Sequence, residues 1–173
     1  MPYSNPAQLC FPPVAGQTLR ADFEGGALSS DFGALLFRGI DRQIGLTQRL
    51  AAAIHDKRHQ SSIDHPLRDL LAQRIYQIAA GYADANDANS LRRDPMFKLG
   101  VERSPLDPTH DLASAPTFSR LEHQIDRQDL YRLTRAFVDH FIASYTAPPA
   151  AIVLDLDHSD DPTYGQQEFA FYN

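Results

Sequence analysis

The stretch PLRDLLAQRIYQIAAGYA, residues 66–83, decides the class of fold. Proline in the first turn, behind Asp64 or His65, suits a helix start, and Leu67, Leu70, Leu71, Ile75, Ile78, Ala79 and Tyr82 recur at helical spacing along one stripe. The pattern predicts an amphipathic helix whose stripe is core. Toward the C-terminus, residues 84–115 are polar and turn-rich with three prolines and a short helix around Ser90 to Arg93. Ser114 or Thr117 can cap a helix from Pro116 to Ile125. Gln128 to Tyr145 is predicted as a longer one, with Leu130, Leu133, Phe137, Val138, Phe141 and Ile142 inward and Pro148 and Pro149 ending it. Ala151 to Asp157 (AIVLDLD) is rich in branched apolar residues, too short for a helix, and reads as a buried strand, with Gln166 to Tyr172 as a second.

Toward the N-terminus, Ser30 or Asp31 is a candidate cap for a helix through about Ile40, carrying Leu35, Leu36, Ile40 and Ile44 on one face. Gly45 breaks it, and Leu46 to Ile54 resumes helical spacing before the charged loop HDKRHQSS. Leu19 to Leu28 reads as a short strand ending at Gly25 and Gly26. Residues 1–19 hold four of the twelve prolines without periodicity and read as a mobile arm, followed by a helical region over 20–147. The expected class is α+β: a mostly helical N-terminal region followed by one or two strands.

Composition narrows the function. The chain has 173 residues, 43% of them hydrophobic, which is enough for a packed core. One cysteine, Cys10, excludes an internal disulfide and a cysteine-based zinc finger, and a reducing cytosol is implied. No Lys or Arg precedes an apolar leader, and the uncharged run from His140 to Leu154 is broken by prolines and shorter than the roughly 20 residues of a membrane helix. The net charge of −6 is unevenly spread: residues 38–135 carry 15 cations against 13 acids, whereas residues 136–173 carry six acids and no Lys or Arg. A near-neutral body tolerates a polyanion; the acidic end suits a cation.

Asp155, Asp157, Asp160 and Asp161 stand within seven residues at the end of the predicted strand. In an extended chain Asp155 and Asp157 share a face about 7 Å apart. Carboxylates beside apolar residues call for a compensating charge, and Mg²⁺ or Mn²⁺ takes hard oxygen ligands of this kind. The bland reading is a solvated turn. Other sites are weak: His55 and His59 have i, i+4 spacing in a charged loop without an acidic partner nearby, Cys10 lacks basic neighbours, and no G-x-S-x-G, Walker A or G-x-G-x-x-G motif exists.

Val153 to Ser159 (VLDLDHS) is similar to the motif of haloacid-dehalogenase-type phosphatases, but that motif opens its fold and only 16 residues follow Asp157. A second resemblance spans most of the chain. FEGGALSSDFGALLFRGIDRQIGLTQRLAAAIHD (23–56), HPLRDLLAQRIYQIAAGYADANDANSLRRDPMFKLG (65–100), LASAPTFSRLE (112–122) and IVLDLDHSDDPTYGQQEFAFYN (152–173) resemble, in that order, the N-terminal portion of DDE transposases of bacterial insertion sequences. The resemblance implies that residues 148–173 begin a ribonuclease-H-like catalytic domain whose first strand carries the first acid of a metal-binding triad. It points to Asp157, which stands before Ser159 and Gly165, with Asp155 as the fallback; both would be Mg²⁺ or Mn²⁺ ligands. His158 departs from the small residue common there, and the second Asp and final Glu of the triad have no counterpart. The expectation is therefore a truncated portion that is inactive alone, its partners element-end and target DNA and a second copy of itself, its place the bacterial cytoplasm beside the nucleoid.

For DNA contact the sequence offers Arg92, Arg93, Lys98, Arg103 and Arg120, with Arg127, Arg132 and Arg135 further along, against a solvated face with interleaved acids. Ala115 to Tyr145 has the outline of a helix-turn-helix, although amphipathic packing explains it equally, and Phe118, Tyr131, Phe137 and Phe141 read as core. The alternative from another class is a non-catalytic DNA-binding or dimerising module that interferes with an intact transposase.

Overall fold

The computed structural model describes residues 9–21, 30–59, 61, 63–105, 107 and 109–157. Among them lie a two-stranded antiparallel sheet and seven helices, so the class is α+β. The strands are β1 (Leu9–Val14) and β2 (Gln17–Ala21). The helices are α1 (Gly33–Ile44), α2 (Leu46–Ala53), α3 (Leu67–Ala79), α4 (Asp87–Leu91), α5 (Pro95–Gly100), α6 (Ala115–Gln124) and α7 (Arg127–Ala143).

Helix α3 is the common element of the core. Its Leu67 and Leu70 join Ile54, Phe118 and Leu121 in one cluster, while Ala72 and Tyr76 join Ala34, Phe97, Val101 and Leu112 in another. The helix starts as its sequence predicts, with Pro66 at the cap. Most of its expected stripe is core, Leu67 and Leu70 buried and Leu71, Ile75 and Tyr82 packed against the clusters; Ile78 and Ala79 depart from it and are exposed, and Gln73 and Gln77 are buried. Gln73 earns that position through two 2.9 Å bonds, its amide donating to the Ala113 carbonyl and accepting from the Ala113 N–H.

Helix α1 departs further from its predicted face. Leu35 is buried as predicted, but Leu36, Ile40 and Ile44 are exposed and the inner face carries Arg38 and Asp41 instead. Asp41 accepts from the Thr47 N–H at 2.8 Å, the Thr47 hydroxyl at 2.5 Å and the Tyr76 hydroxyl at 3.0 Å, tying α1, α2 and α3 together. Gly45 makes this possible. Its φ of 69° lies in the left-handed region, which glycine enters without strain, and the chain doubles back there so that Thr47 meets Asp41.

Residues 9–21 form a hairpin where the prolines predict an arm. Ala15 and Gly16 both have positive φ, the geometry of a tight two-residue hairpin turn. Pro12 and Pro13 fall where the register between Phe11 and Val14 is irregular, so the N–H groups they lack are not demanded by the ladder. A lone hairpin is marginal in water. This one is docked: Val14 packs with Leu35 and Leu99, and Phe11 meets Phe32 edge to face at 5.7 Å. The predicted strand over Leu19 to Leu28 meets β2 at residues 19–21, and residues 22–29 lie outside the described ones.

Two further expectations are corrected. Residues 151–157 form neither strand nor helix, and Ile152, Val153, Leu154 and Leu156 are exposed, because no neighbouring strand among the described residues pairs with them. The second strand, Gln166 to Tyr172, lies outside the described residues. In α7, Leu133 packs on the core, but Leu130, Tyr131, Phe137, Val138, Phe141 and Ile142 are exposed. The helix is held to the body by its first turns, beside α2, and its second half carries an apolar face outward. Phe118 is core as read; Tyr131, Phe137 and Phe141 are not.

Replacing Asp41 by Ala strands three buried donors on Thr47 and Tyr76, and is expected to cost about 3 kcal/mol, whereas Tyr76→Phe removes one bond and costs about 1 kcal/mol. Urea midpoints at constant m-value check both figures; equal, small losses would remove Asp41 from its structural role.

Candidate catalytic segment and basic surface

Asp155 and Asp157 stand on the exposed segment that follows Pro148 and Pro149, clear of the helical core. Asp160, Asp161, His158 and Ser159 lie outside the described residues, and so does most of the loop that the metal reading invokes. Among the described residues no group of three or more His, Cys, Asp or Glu could hold a metal ion. Two carboxylates at alternate positions suit Mg²⁺ or Mn²⁺ in ligand chemistry but are an incomplete set.

The basic residues sort into paired and unpaired. Arg92 donates to Asp111 through Nε at 3.0 Å and Nη2 at 2.8 Å, and Arg93 reaches the same carboxylate oxygen at 3.1 Å. Lys98 is 3% exposed; its ammonium donates to the Asp107 carbonyl at 2.8 Å and lies 3.6 Å from Asp111. Asp111 thus gathers three of the five expected DNA-contacting cations about one carboxylate; Lys98 among them faces inward, whereas Arg93 is exposed. Arg103 donates to the Asp64 carbonyl at 3.3 Å and lies 3.6 Å from Asp69. Of the five, Arg120 alone has no carboxylate partner among the described residues; its guanidinium meets only the Thr117 hydroxyl, at 3.2 Å.

Sequence reasoning missed Asp111, which gave no signal because its partners lie 13 to 19 residues upstream across a turn-rich stretch. It missed Arg38, which sits in an apolar-looking helix yet is 1% exposed, donating to the Pro12 carbonyl at 3.5 Å and to Glu102 at 3.3 Å. It also missed α5, although Asp94 followed by Pro95 is a legible start: the Asp94 carboxylate accepts from the Met96 and Phe97 N–H groups at 2.8 and 3.0 Å.

The joint between α6 and α7 is a capping box. Asp126 accepts from the Gln128 and Asp129 N–H groups, and Asp129 accepts from that of Asp126. Asp129 also accepts from the His55 N–H at 2.9 Å and from Arg132, so the box fastens α7 to the end of α2. The Lys57 ammonium, 2.7 Å from Asp126, holds that carboxyl at about 2, and the His55 N–H holds Asp129 below the ordinary carboxylate range. Arg93, and after it Arg92, lowers Asp111. The outline of two helices and a tight turn is therefore real, but what the joint orients is the exposed half of α7. His59 meets the Ser61 hydroxyl at 2.7 Å, and Cys10 is exposed on β1.

The chain belongs to the family described as transposase DDE domain group 1, which matches it over residues 11–173. Its partner is accordingly DNA, and the family's chemistry generally uses divalent metal ions. Neither a curated protein nor a solved structure matches the chain. No helix among the described residues is long and apolar enough to cross a membrane.

Asp111, Asp126 and Asp129 all have folded-state values below those of the unfolded chain, which binds more protons as pH falls. Their stabilisation is complete above about pH 5 and is lost progressively as the pH drops through the folded values. Urea midpoints should therefore decline between neutral pH and pH 3, and less steeply in Asp111→Asn, which is destabilised at pH 7 because Lys98 loses its counter-charge. An identical pH slope in that variant would contradict the cluster.

Proposed function

We propose that this chain contributes the helical body and the first catalytic carboxylate of an insertion-sequence transposase, which moves DNA by metal-dependent phosphodiester cleavage and strand transfer. The observation that carries the reading is the family match, which runs unbroken through the segment bearing Asp155 and Asp157. Asp157 is the metal ligand in this scheme and Asp155 its fallback. The exposure of Ile152, Val153, Leu154 and Leu156 supports it: apolar residues on both alternations are the pattern of a strand covered on both faces once sheet neighbours are present.

Asp155 and Asp157 would hold Mg²⁺ or Mn²⁺ through hard carboxylate oxygens, with further carboxylates completing the set. When bound, such ions stabilise the attacking and leaving oxygens of a phosphodiester displacement. The protein's own contribution is to carry the two Asp side chains on a segment tethered to a rigid body and to orient DNA against it. Because Asp155 and Asp157 by themselves are an incomplete ligand set for a pair of metal ions, the chain alone is expected to bind element ends without cutting them. The bacterial cytoplasm, beside the nucleoid, is the compartment that fits.

A second reading is a non-catalytic DNA-binding or dimerising module that interferes with an intact transposase. The apolar face of α7, with Phe137, Val138, Phe141 and Ile142 exposed together, favours it. A cell-based excision assay separates the two. Introduced into a full-length relative that carries the complete triad, the substitution equivalent to Asp157→Asn is expected to reduce excision by on the order of a thousandfold while leaving DNA affinity unchanged. Undiminished excision by this variant moves the role to Asp155, and undiminished excision by both single variants, with end binding intact, leaves the module.

A further inference from the structure

A cavity of about 420 Å³ opens between the loop after α2, the start of α3 and the outer face of α6. That volume falls within the roughly 300–1,000 Å³ of ligand pockets. Leu70 and Leu121 supply its apolar lining, and Arg58, His59, His65, Thr117, Arg120 and Gln124 its polar one. Asp64 is the single acid of the lining, and it is exposed.

Donors dominate this lining. Arg58 is locked in place: Nε and Nη2 donate to the Asp56 carboxylate at 2.8 and 2.7 Å, and Nη1 donates to the His65 carbonyl at 2.9 Å. Those three bonds leave two of its five N–H groups unspent. Arg120 brings a guanidinium that no carboxylate among the described residues neutralises. The Gln124 side-chain amide nitrogen is buried and has no hydrogen-bond partner, an uncompensated donor that ordinarily costs stability. An exposed arginine without a carboxylate partner, an arginine whose charge Asp56 balances but which keeps two N–H groups to give, an unsatisfied amide and two imidazoles make a donor-rich lining that calls for a ligand rich in acceptors.

We propose that this cavity is a phosphate-binding site, and that the phosphate it takes is one of the DNA backbone. The proposal rests on the reading that the chain contacts DNA, and it gives that contact a location which the linear run of Arg92, Arg93, Lys98 and Arg103 does not. Phosphate oxygens would accept from Arg120 and from the N–H groups that Arg58 keeps beyond its Asp56 pair, with the Gln124 amide beside them.

The test compares the full chain with Arg120→Gln and with Arg49→Gln, which removes the same charge from an exposed, unpaired position on α2 outside the cavity. Arg120 makes one exposed hydrogen bond, so unchanged thermal midpoints are expected for both. Fluorescence anisotropy on a labelled duplex, between about 50 and 200 mM salt, reads affinity and its salt dependence. Arg120→Gln is expected to weaken binding roughly tenfold at low salt and to lower the slope of log affinity against log salt by about 1, with Arg49→Gln nearly as wild type. Inorganic phosphate should shift the His59 and His65 ring resonances of the wild type and not those of Arg120→Gln. Equal behaviour of Arg120→Gln and wild type, or equal losses from both substitutions, overturns the proposal. No DNA binding by the wild type while phosphate still shifts both histidines overturns DNA as the source and leaves a free-phosphate site, whereas silence in both arms removes the site itself.

Discussion

The Asp41 carboxylate is the constraint on which the helical body depends. It is buried beneath α1 and accepts from α2 and α3 at once, through Thr47 and Tyr76. A buried acid demands donors before anything else. Meeting that demand fixes the rotation of α1 about its own axis, and with it the fate of every other side chain on the helix. Arg38 is carried inward on the same face, where Glu102 and the Pro12 carbonyl receive it and where it fastens the hairpin. Leu36, Ile40 and Ile44 are carried outward. The Tyr76 hydroxyl, buried and bonded to the carboxylate, has its pKa pushed up and stays a neutral donor.

This explains which parts of the architecture could be read from the sequence. Helix limits follow from local chemistry, and so α2, α3, α6 and α7 begin and end within a few residues of where prolines, glycines and caps put them. Helix faces follow from partners distant in sequence. On α1 and α3 the apolar periodicity names a stripe, but Asp41 and Gln73 are taken inside by bonds that periodicity does not register, and Gln77 is buried with its amide nitrogen unpartnered. The hairpin was hidden for a related reason: Pro12 and Pro13 argue against a strand, and only the register irregularity between Phe11 and Val14 lets them into one.

Charge behaves in the same way. The run of Arg92, Arg93 and Lys98 reads as one basic patch, and the structure distinguishes its members: Lys98 is buried, Arg92 is half-buried and Arg93 is exposed, all gathered about Asp111. What reaches a polyanion is then set by which cations remain unpaired, and Arg120 stands out from the linear group on that ground. The segment proposed to carry the first catalytic acid is singled out by resemblance and by its Asp spacing, and most of the loop that follows it lies outside the described residues. As a member of a transposase family the chain divides its labour: a body stabilised by polar contacts in its interior, and apolar surfaces on α7 and residues 151–157 turned outward.

Amide hydrogen exchange resolved to single residues tests this division most directly. The account predicts that the Thr47 amide and the amides of α3 are among the slowest to exchange, while those of residues 152–157 exchange at the rate of an unstructured chain. Strong protection over 152–157 together with rapid exchange at Thr47 would contradict it.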